Sequence, residues 1–434
     1  MKINLQNLVK KSVRNSPAYS SARSLVQNGK IFLDANENSL GSILGNIQKV
    51  ELSRYPDPLA GDLRQELAKY AKVKSSQILV GNGSDEIIWM LLMSFVERDE
   101  AILTFSPTFS MYRVFGDLLG VRVKEVLLEK DYSFDAKKLL KQIGAKTKLI
   151  FLCSPNNPTG QTIPLRDIEQ ILKSKKIVVV DEAYIEFAVQ KSCAKLLKKC
   201  SNLVVLRTFS KAWGLAGLRV GYALANEEVV RVLAKVRAPY SVDGLSQALA
   251  LQALKKQKQM EASVKKILAE REKLSEALWK LGLIVFPSEA NFLLVQFPPK
   301  ISATKIYEKL VKQFGIVVRD FSKKTLLKNC LRATIGTPAE NSKLLAALKK
   351  ILKGCLIFTL MRITRMEKIL RLKGLRQRLP KVGTFMVLLN IIHAILIFVI
   401  AMIYQVKCAD WRLGQITSLR LIRLKKNMKG ELKF

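Results

Sequence analysis

Lys211 is a residue whose type and position in this sequence could do chemistry. It follows the apolar run 203–206 after four residues and precedes the stretch 212–219, which contains two glycines and ends at Arg219. A lysine amine is a nucleophile towards carbonyl groups when its surroundings favour the neutral form. Most lysines are solvated surface charges, and with 73 Lys and Arg residues in the chain this position alone does not distinguish the two interpretations.

Three other polar elements follow apolar runs in the same way. Asp181 ends the run 177–180, and a carboxylate there needs a partner because burying an unpaired charge is costly. Asn157 lies in a loop that two prolines and a glycine make rigid. The turn 81–83 leads into a helical pattern whose first amide groups can bind phosphate. Taken singly, these elements are equally typical of a salt bridge, a turn and a helix start.

The elements that must position these residues are short β-branched runs that alternate with longer helical patterns. Such runs predict buried parallel strands of an α/β sheet, whose carboxyl ends share the edge where ligands bind. The predicted strands are 78–80, 149–152, 177–180 and 203–206 in the first unit, and 291–295, 315–319 and 331–335 in a second. A Lys/Glu-rich helical stretch at 250–280 separates the two units. We predict an N-terminal arm 1–45, a large domain 46–258, a small α+β domain 259–353 and a basic tail 354–434.

Composition excludes several classes of site. The 434 residues include one histidine, His393, which lies in an apolar run and is given no catalytic role. None of the six cysteines forms a C-x-x-C motif. These counts argue against histidine catalysis and against a metal site, and scattered thiols in a long chain are typical of a reducing compartment. The first eleven residues lack the apolar segment of a secretory signal, so the sequence predicts a cytoplasmic catalytic body.

The tail differs from the body in kind. Residues 385–404 contain only Asn390 and His393 as polar residues, and basic segments flank them on both sides. Twenty apolar residues predict a hydrophobic helix that spans a bilayer, and the basic flanks suit acidic lipid headgroups. The alternatives are a buried or dimer-forming helix and a tail that plays no part in the functional protein. The net charge of +38 favours anionic partners, but without a nucleic-acid motif we expect no nucleic acid among them.

In their order and spacing, the four polar elements together resemble the fold-type I pyridoxal-phosphate aminotransferases. Within that superfamily the sequence resembles the histidinol-phosphate aminotransferases most. The matching stretches are 34–38, 54–58, 83–86, 107–112, the Asn157 loop, 181–184, 210–211, 216–219, 315–319 and 331–332. They cover about residues 10–352, and the tail lies outside them. The resemblance implies a large domain with a mostly parallel sheet between helices, and a smaller α+β domain.

The resemblance also implies a cofactor, pyridoxal 5′-phosphate, and a role for each matching residue. Lys211 would form the imine with the cofactor aldehyde and then shuttle the proton at the substrate α-carbon. Asp181 would hold the ring nitrogen, while Tyr184 and Asn157 would hydrogen-bond the ring 3′-oxygen. Phe109 would stack on the ring without the hydroxyl that a tyrosine there would supply.

By the same resemblance, the cofactor phosphate would be held by Ser84, Asp85, Ser210 and Arg219, and by Tyr55 of a partner subunit, so a homodimer is expected. Arg332 would bind the α-carboxylate of glutamate and, with Arg319 and Tyr19, the phosphate of the substrate. One bidentate guanidinium can serve both anions.

The implied activity is transamination between histidinol phosphate and 2-oxoglutarate in histidine biosynthesis. Aromatic-amino-acid aminotransferases and threonine-phosphate decarboxylases share most of these motifs and remain alternatives. A third alternative, from another class, is a non-catalytic, membrane-tethered protein built on an aminotransferase scaffold.

Overall fold

The computed structural model describes residues 29–34, 36–41, 55–322 and 324–352. The chain divides into two units, Met1–Gly354 and Cys355–Phe434, and every described residue belongs to the first. Tyr19, the predicted hydrophobic helix 385–404 and the rest of the basic tail lie outside the described residues. Within the described ranges, no helix has the length and apolar character needed to cross a membrane.

Two sheets organise the described residues. The strands are β1 Ile31–Leu33, β2 Ile78–Asn82, β3 Ala101–Ser106, β4 Arg122–Leu127, β5 Thr147–Cys153, β6 Ile177–Asp181, β7 Leu203–Thr208, β8 Val220–Ala225, β9 Ile284–Val285, β10 Phe292–Gln296, β11 Ile316–Asp320 and β12 Cys330–Thr334. Each strand that the apolar runs predict is present, lengthened or shifted by one to three residues. Strands β1, β3, β4, β8 and β9 were not predicted.

The larger sheet has seven strands in the order β2-β8-β7-β6-β5-β3-β4. Its central strands are parallel and buried on both faces, which explains their unbroken Val, Ile and Leu content. The prediction that 78–80 is one of these parallel strands was wrong in its pairing, because among the described strands β2 pairs with β8 alone, and that pairing is antiparallel. The chain passes from β7 to β8 without a crossover helix, and only an antiparallel neighbour can be reached that way.

Helices surround the sheets. They are α1 Gly61–Ala71, α2 Gly83–Phe95, α3 Met111–Leu119, α4 Ala136–Leu140, α5 Leu165–Leu172, α6 Glu227–Val236, α7 Gly244–Leu254, α8 Gln257–Lys280, α9 Ala303–Phe314 and α10, residues 338–352. The predicted helical stretch 250–280 is two helices, α7 and α8. The buried residues of α8 recur every three or four positions from Met260 to Leu278, so one face packs inward.

The smaller sheet has five strands in the order β1-β11-β12-β10-β9. Its first strand comes from the segment predicted as an N-terminal arm, because β1 pairs in parallel with β11. Strands β11 and β12 are antiparallel, and their register places Arg319 directly opposite Arg332. The sheet therefore brings two arginines from distant parts of the sequence side by side.

Candidate active site

A cavity of about 490 Å³ lies at the carboxyl ends of the central strands of the larger sheet. Eleven residues predicted for the site line it: Ser84, Asp85, Phe109, Asn157, Asp181, Tyr184, Ser210, Lys211, Arg219, Arg319 and Arg332. The other predicted residues are elsewhere: Tyr55 does not line the cavity, and Tyr19 lies outside the described residues. The structure thus brings together the lysine, the carboxylates and the arginines that the sequence singles out.

Asp181 is the buried carboxylate of the site. It is the last residue of β6, and its side chain is 3% exposed. The hydroxyl of Tyr112 donates to its Oδ2 at 2.8 Å, and the amide of Ala183 donates to its Oδ1 at 3.1 Å. Burial outweighs these two bonds and raises the pKa of Asp181 to about 6. A positive group in the cavity would restore the ionised form.

Lys211 lies across the cavity, three residues beyond the end of β7. Its Nζ is 5.8 Å from the centre of the Tyr184 ring. Burial, and secondly the charge of Arg332, lower the pKa of Lys211 to about 8. A substantial fraction of the amine is therefore neutral near physiological pH, as a lysine nucleophile requires.

A chain of hydrogen bonds connects this part of the cavity to the smaller sheet. Arg332 donates from Nη1 to Oδ1 of Asn157 at 2.5 Å. The Nδ2 of Asn157 lies 3.5 Å from the hydroxyl oxygen of Tyr184, and the Nδ2 of Asn36 donates to the same oxygen at 3.0 Å. The predicted partners of the ring 3′-oxygen, Asn157 and Tyr184, are therefore adjacent, and Asn36 joins them.

The N-terminus of α2 forms a cradle for an anion. Gly83 begins the helix with φ +77°, a conformation that glycine adopts without strain. The backbone of Ser84 packs so closely on Gly221 of β8 that an added Cβ there would collide with the Ser84 amide nitrogen. The close approach holds the first amides of α2 at the cavity, where the helix dipole favours a phosphate.

Side chains with hydrogen-bonding groups complete this cradle. Arg219 donates from Nη2 to Oδ2 of Asp85 at 3.3 Å, and burial raises the pKa of Asp85. Ser210 is held against the end of β7 by Thr208, whose hydroxyl donates to the Ser210 Oγ at 2.9 Å. The amides, a hydroxyl and a guanidinium form a donor set that matches a phosphate group.

Two arginines of the smaller sheet form the opposite wall. Arg332 is 5% exposed, its guanidinium lies 5.2 Å from the ring centre of Phe292, and its Nη2 donates to the carbonyl of Asp34 at 2.6 Å. Arg319 stands opposite it across the β11–β12 pair and lines the same cavity. Two guanidinium groups on one wall of a cavity offer several donors and positive charge to an anion.

Tyr55 lies away from the cavity of its own chain. It is 82% exposed, and its ring stacks on Tyr240 with 4.6 Å between the ring centres. Its predicted contact with a phosphate of the other subunit stays a prediction.

Two residues that contact the predicted site were missed by sequence reasoning. Asn36 lines the cavity, and Tyr112 does not line it but donates to Asp181. Tyr112 reaches Asp181 across 69 positions, and Asn36 reaches Tyr184 across 148. Both lie in stretches that match the aminotransferase motifs, 107–112 and 34–38, and that match was the signal that could have marked them.

The donor set of the cavity fits pyridoxal phosphate. The buried carboxyl group of Asp181 would face the ring nitrogen, the cradle at α2 would hold the phosphate, and Lys211 would meet the aldehyde. Each of these three chemical groups requires a different kind of side chain, and all three kinds line one cavity.

The comparisons with known proteins agree with this class of site. The family model "Aminotransferase class I and II" matches residues 30–348. A histidinol-phosphate aminotransferase of Bacteroides thetaiotaomicron is 41% identical over 352 residues, which are 80% of this chain and 98% of that protein. A histidinol-phosphate aminotransferase of Parabacteroides distasonis is 42% identical over 352 residues, 80% of this chain and 99% of that one.

A solved structure shares the fold. The histidinol-phosphate aminotransferase of Sinorhizobium meliloti, in complex with pyridoxal-5′-phosphate, superposes with a TM-score of 0.72 at 24% identity. The alignment covers 80% of this chain and 98% of that one. The chain belongs to the class I and II aminotransferases and, within them, to the histidinol-phosphate aminotransferase family. It is a transaminase, and the prediction that its cofactor is pyridoxal phosphate is confirmed.

Proposed function

We propose that this enzyme transfers an amino group reversibly between histidinol phosphate and 2-oxoglutarate, with imidazole-acetol phosphate and glutamate as the other pair. The observation that carries this proposal is the pair of arginines, Arg319 and Arg332, directly opposite each other on the wall of the cavity that contains Lys211. A substrate phosphate carries up to two negative charges, which two guanidinium groups can complement.

Pyridoxal phosphate, when bound, supplies an aldehyde that bonds to amines and a ring that withdraws electrons. The chain supplies the groups around it. The carboxylate of Asp181 holds the ring nitrogen in its protonated form. The lowered pKa of Lys211 lets its Nζ accept a proton and return it within one catalytic cycle.

Arg332 binds the anion of each substrate in turn. Its guanidinium is positioned by the rings of Phe292 and Phe321, at 5.2 and 5.6 Å from their centres. The planar fork accepts the α-carboxylate of glutamate in one half-reaction and the phosphate of histidinol phosphate in the other. Arg319 adds its contact for the phosphate, and Tyr19 is a further candidate for that contact.

The subunit arrangement follows from Tyr55. This tyrosine is exposed and away from the cavity of its own chain, so a second copy is needed to bring it to a phosphate. A homodimer is therefore part of the proposal. A cytoplasmic location of the catalytic body is proposed separately, from the sequence of the first eleven residues.

The basic tail is proposed as a membrane tether, on the evidence of the apolar sequence 385–404 and its basic flanks alone. Fractionation of cells that express the chain with and without residues 355–434 tests this. We expect the full chain in the detergent-soluble membrane fraction and the shortened chain in the supernatant. If the full chain remains in the supernatant without detergent, the proposed membrane tether is refuted.

Spectroscopy of the full chain tests the proposed reaction. Reconstitution with pyridoxal phosphate should give a visible absorbance band that Lys211→Ala abolishes, because the lysine is the cofactor's covalent partner. Histidinol phosphate should bleach the band, and 2-oxoglutarate should restore it.

The alternatives of the same fold predict different outcomes. A band that responds to aromatic amino acids but not to histidinol phosphate would keep the transaminase and reject the substrate. Release of carbon dioxide from threonine phosphate would favour the decarboxylase. The relatives at 41–42% identity, both histidinol-phosphate aminotransferases, support the first choice.

A further inference from the structure

The hydroxyl of Tyr184 accepts hydrogen bonds from two amide side chains. Asn36 donates to it from Nδ2 at 3.0 Å, and the Nδ2 of Asn157 lies 3.5 Å away, at the limit of a hydrogen bond. A phenolic oxygen accepts through its lone pairs and donates its single proton. Because Asn36 and Asn157 occupy the lone pairs of the Tyr184 oxygen, the directions in which this hydroxyl can donate its proton are restricted.

The orientation of both amides is set by their other partners. Asn157 must present Oδ1 to Arg332, because a guanidinium only donates. Asn36 presents Oδ1 to the hydroxyl of Thr334 at 3.0 Å, and that hydroxyl accepts the backbone N–H of Asn36 at 2.9 Å. Each amide is therefore left with its NH₂ group towards Tyr184.

The backbone of Asn36 is held as firmly as its side chain. Its carbonyl accepts from Nδ2 of Asn291 at 3.1 Å, and its φ of 55° is a left-handed conformation in which asparagine is enriched. The residue is buried. These bonds join it to β12 and to the segment before β10, so its amide keeps its place whether or not a ligand is bound.

We propose that Asn36 is a positioning residue, which directs the Tyr184 proton into the cavity and so makes this hydroxyl a donor to the 3-oxygen of the cofactor ring. The proposal rests on the proposed cofactor site but not on the identity of the amino acceptor. Asn36 lines the cavity, and in this proposal it acts through Tyr184.

The electrostatics of Tyr184 agree with a donor role. Burial raises the pKa of Tyr184 well above its ordinary value, so the hydroxyl keeps its proton at neutral pH. A donor to the 3-oxygen stabilises negative charge on that oxygen, which lowers the pKa of the bound cofactor. If Asn36 no longer directs the Tyr184 proton to the 3-oxygen, the pKa of the bound cofactor should therefore rise.

A double-mutant cycle tests the proposal on the full chain reconstituted with pyridoxal phosphate. The variants are Asn36→Ala, Tyr184→Phe and the pair together, each titrated with pH by the absorbance of the bound cofactor. We expect Asn36→Ala to raise the pKa of the bound cofactor by about 0.5, and Tyr184→Phe to raise it by about 1. In the Tyr184→Phe background, Asn36→Ala should change it little, because its effect passes through the missing hydroxyl.

The dissociation constant of the cofactor is a second readout. It should rise about threefold in Asn36→Ala, because the hydrogen bond from Tyr184 to the cofactor is weakened. Asn341→Ala is the matched control, since Asn341 is also a buried asparagine with three side-chain hydrogen bonds but does not line the cavity. That control should lower thermal stability and leave the titration where it was.

Two results would overturn the proposal: an unchanged titration in Asn36→Ala, or an equal change in the presence and absence of the Tyr184 hydroxyl. If Asn36→Ala does not fold, Asn36→Asp keeps the volume and replaces the donor by an acceptor that draws the tyrosine proton away from the cavity. It should raise the pKa of the bound cofactor further than alanine, and an unchanged value there would also overturn the proposal. A protein without any absorbance band would instead refute the cofactor site at Lys211.

Discussion

The seven-stranded and the five-stranded sheets contribute to one cavity in different ways. The larger sheet supplies residues that stand at or just after strand ends, such as Asp181 and Lys211. The smaller sheet supplies Arg319 and Arg332 from within its strands, where they meet through cross-strand register. The half of the site proposed for the cofactor therefore depends on where strands end, and the half proposed for the substrate depends on how two strands pair.

The two regions also differ in charge. The larger sheet buries the Asp181 carboxyl group, whose pKa burial raises to about 6. The smaller sheet places two guanidinium groups opposite each other. The buried carboxyl group is unfavourable in its ionised form without a ligand, and a ligand of opposite charge would stabilise it. The two guanidinium groups offer a charge that complements an anion.

The largest effect is expected where the buried charge is removed. Asp181→Asn keeps the shape of the side chain but loses the negative charge that we propose holds the ring nitrogen protonated. We expect kcat to fall about 10³-fold, because the charge stabilises the transition state in a site that excludes water. Steady-state rates with histidinol phosphate and 2-oxoglutarate measure it, and a fall below tenfold would contradict the role of Asp181.

The same substitution should stabilise the cofactor-free protein. The pKa of Asp181 is raised from 3.8 to about 6, so the folded state binds more protons than the unfolded state between these values. Stability from this group is complete below pH 3.8 and is lost as the pH rises through about 6. At pH 7.5, Asp181→Asn should raise the free energy of unfolding by up to about 3 kcal/mol, but by little at pH 4. Denaturant unfolding at the two pH values measures it, and equal gains at both would refute the assignment.

A smaller loss of activity is expected for substitutions of the two arginines of the five-stranded sheet, and the loss should differ between them. Arg332→Lys keeps the charge and removes the planar fork, so we expect kcat/KM to fall about 100-fold for both glutamate and histidinol phosphate. Arg319→Lys should lower kcat/KM about tenfold for histidinol phosphate and leave glutamate unchanged. The two half-reactions can be followed separately by the cofactor absorbance. Equal losses for the two substrates in Arg319→Lys would contradict the division of labour.

The smallest effect is expected at Tyr112, which holds Asp181 through one hydrogen bond. This tyrosine is fully buried and stacks on Phe151 with 4.7 Å between ring centres, so Tyr112→Phe removes the hydroxyl and keeps the packing. We expect kcat to fall about tenfold, since the bond is made to a charged group.

Tyr132→Phe is the matched control for that substitution. Tyr132 is also buried, but its hydroxyl donates to the carbonyl of Leu326 at 2.9 Å, and Leu326 does not line the cavity. Loss of its hydroxyl should lower stability and leave kcat unchanged. A similar fall in kcat for Tyr112→Phe and Tyr132→Phe would mean that the hydroxyl of Tyr112 has no special part in holding Asp181.

The sequence predicted most of the larger sheet and its site because both are encoded locally. Runs of Val, Ile and Leu mark strands that are buried on both faces, and the polar residue that ends each run stands at the ligand edge. The same reasoning failed for β8, whose pairing with β2 and β7 is antiparallel. The sequence of residues 220–225 alone does not specify which strands β8 pairs with.

The lysine, the buried aspartate and the glycine turn could be predicted from the sequence itself, because each is close to an apolar run and their order and spacing together resemble those of the aminotransferases. Tertiary structure alone decided that Arg319 faces Arg332, that Tyr112 reaches Asp181 and that Asn36 reaches Tyr184. These contacts join positions from 13 to 148 residues apart and depend on strand register and on how the two sheets pack. A local pattern specifies the face of an element, whereas register and packing are settled by the whole core at once.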